Sequence, residues 1–179
     1  MSRFLSPLTI SVLLLAPTLG LTARGVVSPH PVWHEATSAH AMAPAQQLMP
    51  EQTLMHDGLE RHYVLRLPAA WRPGQALLPL VVVLHGAGGN ARITEMMTGF
   101  TAKGASEGFA VVYPQGSGRR DDGPLTWNAG HCCGWAYEHH VDDIGFIAAL
   151  LDHLVATSPI DPRRIYVTGM SNGAMMTHR

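Results

Sequence analysis

The run Ile165-Tyr166-Val167-Thr168, followed by Gly169-Met170-Ser171-Asn172-Gly173 and then Ala174-Met175-Met176-Thr177, restricts this chain more than any other stretch. The β-branched and aromatic residues predict a short buried strand, G-x-S-x-G a sharp turn, and the residues after it the first turns of a helix. A strand that turns into a helix over a single serine forces that serine into a sparsely populated backbone conformation. The positions two before and two after it are crowded by the same turn. Glycine has no Cβ to clash, so Gly169 and Gly173 fit there. The geometry lifts the Ser171 hydroxyl out of the sheet and aims the Asn172 backbone N–H, at the start of the helix, toward any oxyanion forming beside it. Glycine and serine turns between strand and helix are common, so the pentapeptide alone does not establish a nucleophile. With the preceding strand and the loop described next, Ser171 becomes the candidate.

That loop follows Leu80-Val81-Val82-Val83-Leu84, a continuous apolar run with the pattern of a strand covered on both faces. His85-Gly86-Ala87-Gly88-Gly89 comes directly after it. A glycine-rich loop after a central strand can cradle phosphate, but neither GxGxxG nor a lysine-bearing P-loop is present. The loop instead resembles the HGGG-type loop that brings a backbone N–H to the carbonyl oxygen of a bound ester. Ala87 is the first choice of donor and Gly88 the second, with His85 holding the loop and not serving as the base.

Other segments place these motifs in a parallel-sheet architecture. Gln52–His56, the Asp57-Gly58 turn and 59–67 read as a hairpin, in which Leu59, Tyr63, Leu65 and Leu67 alternate with Glu60, His62 and Arg66. A helix is expected over 93–107, weakened by Gly99 and Gly104 and stopped by Gly108, then a buried strand over 109–113. Residues 117–140 read as one long loop containing Trp127, Asn128, Cys132, Cys133 and Trp135. Trp127 and Trp135 either flank the site or plug the core beneath the loop. Val141 to Thr157 has the strongest helical period, with Val141, Ile144, Ile147, Ala148, Leu151, Leu154 and Val155 on one stripe. Asp142 and Asp143 stand in its first turn, where capping and loop support are favoured over an acid/base or metal pair. Strand, helix and strand in alternation predict an α/β fold.

Composition narrows the alternatives. A net charge of −1 with no basic or acidic run gives no reason to expect nucleic acid or a charged surface partner. Met1 to Ala23, with Arg3 before an apolar core containing Val12 to Ala16, reads as a secretory signal peptide; Ser6, Pro7, Thr9, Ser11, Pro17 and Thr18 dilute it below a membrane span. A secreted or periplasmic protein is expected, with no membrane attachment after cleavage. Residues 24–51, rich in Ala, Pro, Ser and His, read as a flexible leader, and its scattered His30, His34, His40, Met42 and Met49 are not read as a metal site. Cys132 and Cys133 are the whole cysteine complement. They form a vicinal disulfide, pair outside the chain, or stay as thiols; no second ligand pair stands at a metal-binding spacing.

Five blocks in order, LHGAGGN, YPQG, WNAGHCCG, VDDIGFIAALLDHL and DPRRIYVTGMSNGAMM, resemble the secreted esterases of the polyhydroxybutyrate depolymerase-like family, which grades into feruloyl and acetylxylan esterases. The resemblance covers 52–179. It implies an α/β-hydrolase fold, a serine acyl-enzyme, no metal or cofactor, and a polyester or plant cell-wall ester as substrate. By position, Ser171 matches the family nucleophile, Asn172 the first oxyanion donor and Ala87 the second, with the WNAGHCCG loop beside the site. In such folds the acid and base follow the serine in sequence. Only 179 − 171 = 8 residues follow Ser171, and His178 would point along the elbow helix. The expectation is therefore the N-terminal part of a hydrolase domain, with an exposed apolar sheet edge and little or no activity on its own. A non-catalytic exported binding module on the same half-fold is the alternative from another class; a serine peptidase or dienelactone hydrolase shares the elbow.

Overall fold

The computed structural model describes residues 50–121 and 123–179. The expected signal peptide, 1–23, and the leader, 24–51, apart from residues 50 and 51, lie outside the described residues. The remainder folds around one five-stranded sheet with strands β1 (Gln52–His56), β2 (Leu59–Arg66), β3 (Leu78–Leu84), β4 (Ala110–Pro114) and β5 (Ile160–Gly169), in the order β1-β2-β4-β3-β5.

The hairpin forms where expected. Asp57 and Gly58 both take positive φ, 48° and 75°, as a two-residue turn requires when its twist matches that of its strands. β1 and β2 are antiparallel and β2 is antiparallel to β4, while β4, β3 and β5 are mutually parallel. β3 is thus central to the parallel part. The chain leaves it on one side to form β4 and returns on the other to form β5.

Alternation along the strands divides the core between two faces. Tyr63, Leu65, Leu80, Val82, Leu84 and Val112 point to one face, where Phe146, Leu150 and Leu154 of helix α4 (Asp143–Thr157) cover them. Val64, Val83, Val111 and Tyr113 point to the other, beside Ala91 and Phe100. From Val82 to Leu84 β3 is buried on both faces, as its apolar run predicts, while Val81 is half-buried.

Four local expectations are corrected. The strand expected to be buried over 165–168 forms within β5 but lies at the sheet edge, with Tyr166 58% and Val167 39% exposed. The helix expected over 93–107 is two helices, α1 (Ala91–Thr98) and α2 (Phe100–Glu107), because Gly99 adopts φ 66°, which ends one helix and redirects the chain into the next. The loop expected over 117–140 contains the short helix α3 (Gly134–Glu138). The stripe assigned to the helix expected over 141–157 is rotated: Asp143, Phe146, Leu150 and Leu154 are buried, and Ile144 is 42% exposed. The buried face is apolar in its own right, with Phe146, Leu150 and Leu154 recurring at helical spacing against the sheet. Arg61 on β2 adds to it, donating to Asp143 at 2.6 Å and lying 4.0 Å from the Phe146 ring centroid.

The start of β5 is irregular. Ile160 pairs with Leu78 and Ile165 with Leu80, so the residues between them bulge from the ladder. Asp161 holds the bulge, accepting from the Arg163 amide and the Arg163 and Arg164 guanidinium groups, while Arg164 also reaches the Leu77 carbonyl. These donors hold its carboxyl below the usual range, at about 2. A depressed carboxylate stabilises the fold above its unfolded value and loses that contribution as pH falls through the folded one. Asp161→Asn should therefore lower the melting temperature at pH 7, with the gap to wild type closing as pH falls from 3.8 toward about 2.

Gly104 provides a second check. A Cβ there would lie 2.7 Å from the Phe109 carbonyl oxygen and 3.0 Å from Val111 Cγ2, so its bareness seats α2 on β4. Helix propensity alone favours Gly104→Ala by roughly 0.5–1 kcal/mol, while overpacking against backbone costs roughly 1–3 kcal/mol. Urea denaturation should show net destabilisation.

Candidate active site

The carboxyl ends of β3 and β5 lie side by side where the connections run off in opposite directions, the crevice in which open α/β sheets place their ligands. The His85 loop leaves β3 there, and Ser171 leaves β5. Ser171 is exposed and has φ 52° and ψ −117°, outside the regions ordinary side chains favour. It caps helix α5 (Asn172–Thr177), its carbonyl accepting from the Met175 amide at 3.0 Å.

Close backbone approach maintains this turn. A Cβ on Gly169 would overlap the Gly173 backbone, and a Cβ on Gly173 would overlap the Leu84 and His85 carbonyls. The Met170 amide donates to Leu84 at 3.2 Å, stitching the turn to the end of β3. A Cβ on Gly86 would lie 3.3 Å from the Met170 carbonyl and 3.6 Å from Ser171 Cβ. The two loops therefore touch through their main chains.

The amides named from the sequence have different commitments. Asn172 N–H is the first of α5 and has no intrahelical partner by position. Ala87 N–H bonds to no carbonyl among the described residues, whereas Gly88, the second choice, donates to Leu125 at 2.8 Å and is spent. His85 is buried, accepting from the Gly116 amide at Nε2 (2.9 Å), which leaves Nδ1–H to donate to its neighbour's carbonyl, Gly86 O (2.8 Å). Burial pushes its imidazole below the ordinary value, so it stays neutral and holds the loop.

Trp127 is fully buried beneath the WNAG segment, so for this residue the core alternative applies. Its indole N–H donates to the His85 carbonyl at 3.0 Å. Its main chain is gripped by the Asn172 side chain, which accepts from Trp127 N–H at 2.7 Å and donates to Trp127 O at 3.0 Å. Trp135 instead stacks on His139, centroids 4.2 Å apart, and lines a groove of about 560 Å³ with Arg119, Pro124 and Glu138. Cys132 and Cys133 are joined to each other, and their segment folds back on Trp127: its carbonyl accepts from Ala129 (3.0 Å) and Cys133 (3.2 Å).

Asn128 ties this loop to α4, its amide donating to Asp143 at 2.7 Å and its side chain to Val141 O at 3.0 Å. Asp142 caps α4 through the Gly145 amide. The two aspartates thus cap and support, as their position suggested. Burial raises the Asp143 carboxyl and lowers the Arg61 guanidinium, and each supplies the main electrostatic compensation for the other.

Two contributors were not singled out from the sequence. The Asn172 side chain was overlooked behind its own amide. Arg61 left a readable signal, a lone arginine in phase with Leu59, Tyr63 and Leu65 on the apolar face of the hairpin. Among the described residues, no histidine or carboxylate is hydrogen-bonded to the Ser171 hydroxyl; His178 caps α5 through its own amide.

Removing the Asn172 side chain strips the buried Trp127 N–H of its acceptor, whereas Trp127 O keeps two donors. Asn172→Ala should cost about 1–3 kcal/mol in chemical denaturation. A change within experimental error would mean the grip on Trp127 contributes nothing.

Comparison with known proteins bears on the family and the fold. A family model described as esterase PHB depolymerase matches residues 62–178. Poly(3-hydroxyalkanoate) depolymerase C of Paucimonas lemoignei is 36% identical over 103 residues, 55% of this chain and 23% of that protein. Feruloyl esterase B of Piromyces equi is 27% identical over 120 residues, 66% of this chain and 20% of that protein. The matches thus span less than a quarter of the length of these two relatives. Among solved structures, the acetyl xylan esterase from Aspergillus awamori superposes with a TM-score of 0.56 at 18% identity, over 72% of this chain and 45% of that one. That likeness shows an α/β-hydrolase fold, present here in part.

Proposed function

We propose that this chain, which belongs to the esterase PHB depolymerase family, carries the nucleophile and oxyanion hole of a secreted serine carboxylic-ester hydrolase. The observation that carries the reading is Ser171 at φ 52° between β5 and α5, with the uncommitted Ala87 and Asn172 amides beside it. A nucleophile must reach its target free of its own sheet, and an oxyanion needs donors that no carbonyl has claimed.

In the proposed reaction, Ser171 Oγ attacks the ester carbonyl while a histidine base takes its proton. The carbonyl oxygen becomes an anion held by the two amides. Collapse of the tetrahedral intermediate expels the alcohol, which takes a proton from the histidine, and leaves an acyl-serine. Water, activated by the same base, then releases the acid. Either amide of the hole is worth about 10²–10³ in rate. The relatives' names support polyesters and feruloyl or acetyl esters of plant cell walls as the substrate class. Export rests on Met1 to Ala23; a mature N-terminus within a few residues after Ala23 would support it, and retention of Met1 would oppose it.

No base is bonded to Ser171 among the described residues. We therefore propose that residues 1–179 alone hydrolyse esters weakly, within the roughly 10³–10⁴-fold over water that an oxyanion hole and binding leave without a triad. In so broken a unit Ser171→Ala should change the rate little, since triad members act together. Robust p-nitrophenyl acetate turnover that Ser171→Ala abolishes would show a complete triad within these residues and defeat that part. For the nucleophile, a fluorophosphonate probe should slowly add to Ser171, mapped by peptide mass spectrometry. An adduct confined to other residues would defeat the assignment.

A further inference from the structure

The proposed oxyanion hole is assembled from two separate pieces of chain. Ala87 belongs to the loop after β3, and Asn172 to the start of α5. Two donors act together on one oxygen only if their separation is held within about 0.5 Å, so something must brace one piece against the other. Backbone contact at Gly86 and Gly173 sets how near the pieces can come, but contact does not prevent them from parting.

We propose that Trp127 is the positioning residue of the oxyanion hole, a buried strut joining the two amide-bearing segments. It holds the first piece by its ring: indole Nε1–H donates to the His85 carbonyl at 3.0 Å, two residues before Ala87, and the ring lies 4.9 Å from the His85 imidazole. It holds the second by its main chain, whose N–H and C=O are both bonded by the Asn172 side chain, at 2.7 and 3.0 Å. Both grips close on the residue that supplies an amide or on its near neighbour. Neither Trp127 nor the Asn172 side chain is given contact with substrate; they act through the two amides.

The strut is itself anchored. Leu125, two residues earlier, accepts from Gly88, and Asn128, one residue later, donates to Asp143, which Arg61 holds from β2. The ring is fully buried. Its position therefore follows the body of the domain and not the loop surface, which explains why a segment rich in glycine and cysteine carries one large buried aromatic. This inference rests on the proposed esterase reading for its catalytic consequence, but the bracing is testable without it.

The test is Trp127→Phe, which keeps an aromatic ring in the core and deletes the indole donor. In the 179-residue chain the residual p-nitrophenyl acetate hydrolysis reports the hole without the base. We expect kcat to fall about tenfold, part of the loss expected for a missing donor, with KM within about twofold. In parallel, ¹⁵N relaxation should show the Ala87 and Asn172 amides at rigid order parameters near 0.85 in wild type and both lower in the variant, with Val64 in β2 unchanged. If the order parameter of either amide stays put, or if kcat and KM move together with a general loss of order, the strut is overturned. A wild-type chain with no hydrolysis above buffer would defeat the proposed residual activity and leave the relaxation result to decide the bracing. Should Trp127→Phe fail to fold, Asn172→Ala removes the main-chain grip from the opposite side while keeping the Asn172-position amide, and loss of order at residues 172 and 87 together is again required.

Discussion

The turn over Ser171 rests on the end of β3 through main-chain contact. Gly173 lies so near the Leu84 and His85 carbonyls that no side chain could stand at its Cα, and Gly169 is as near to Gly173. This one steric fact places the start of α5 beside the loop that leaves β3. A methyl group at either glycine would force the segments apart. The strain of a non-glycine residue at φ 52° is borne by the surroundings: β5 is paired along β3, and the α5 backbone is bonded from its first turn.

Around that contact the protein has built polar tethers where an apolar core would be simpler. Arg61 and Asp143 are both almost wholly buried, at 3% and 1% exposure, and breaking such a pair costs about 3–5 kcal/mol. An isolated buried pair is weak evidence for stability, since apolar residues often do as well. Here the second Asp143 oxygen accepts from the Asn128 amide, so the pair also fixes the loop that carries Trp127. Directional bonds choose one loop position; apolar packing would tolerate several.

How far the sequence could be read differs from residue to residue. The strands were legible because their chemistry is local: Val82 to Leu84 is an apolar run suited to burial on both faces of a sheet, and Asp57-Gly58 turns a hairpin by its own backbone preference. The helix expected over 93–107 divides because a glycine inside a helical pattern reads only as weak propensity, whereas the positive φ of Gly99 serves a change of direction. The α4 stripe is ambiguous in sequence because Phe146, Leu150 and Leu154 form a second apolar row beside Ile144, Ile147 and Leu151, and only the sheet chooses between them. The capping of α4 by Asp142 was legible, since a carboxylate before a helix has few other uses.

The sequence by itself determined the elements at the site: glycines two places either side of a serine leave room for a strained turn after a β-branched strand, and a glycine-rich loop follows a strand of continuous apolar run. Tertiary structure alone decided which amides remain uncommitted, Ala87 and not Gly88, and that Trp127 lies beneath the loop with Asn172 around its main chain. Those choices depend on hydrogen bonds between groups 37, 42 and 45 residues apart. A local pattern shows which donors and acceptors a segment carries, but their partners are set only when the sheet brings distant segments within about 3 Å.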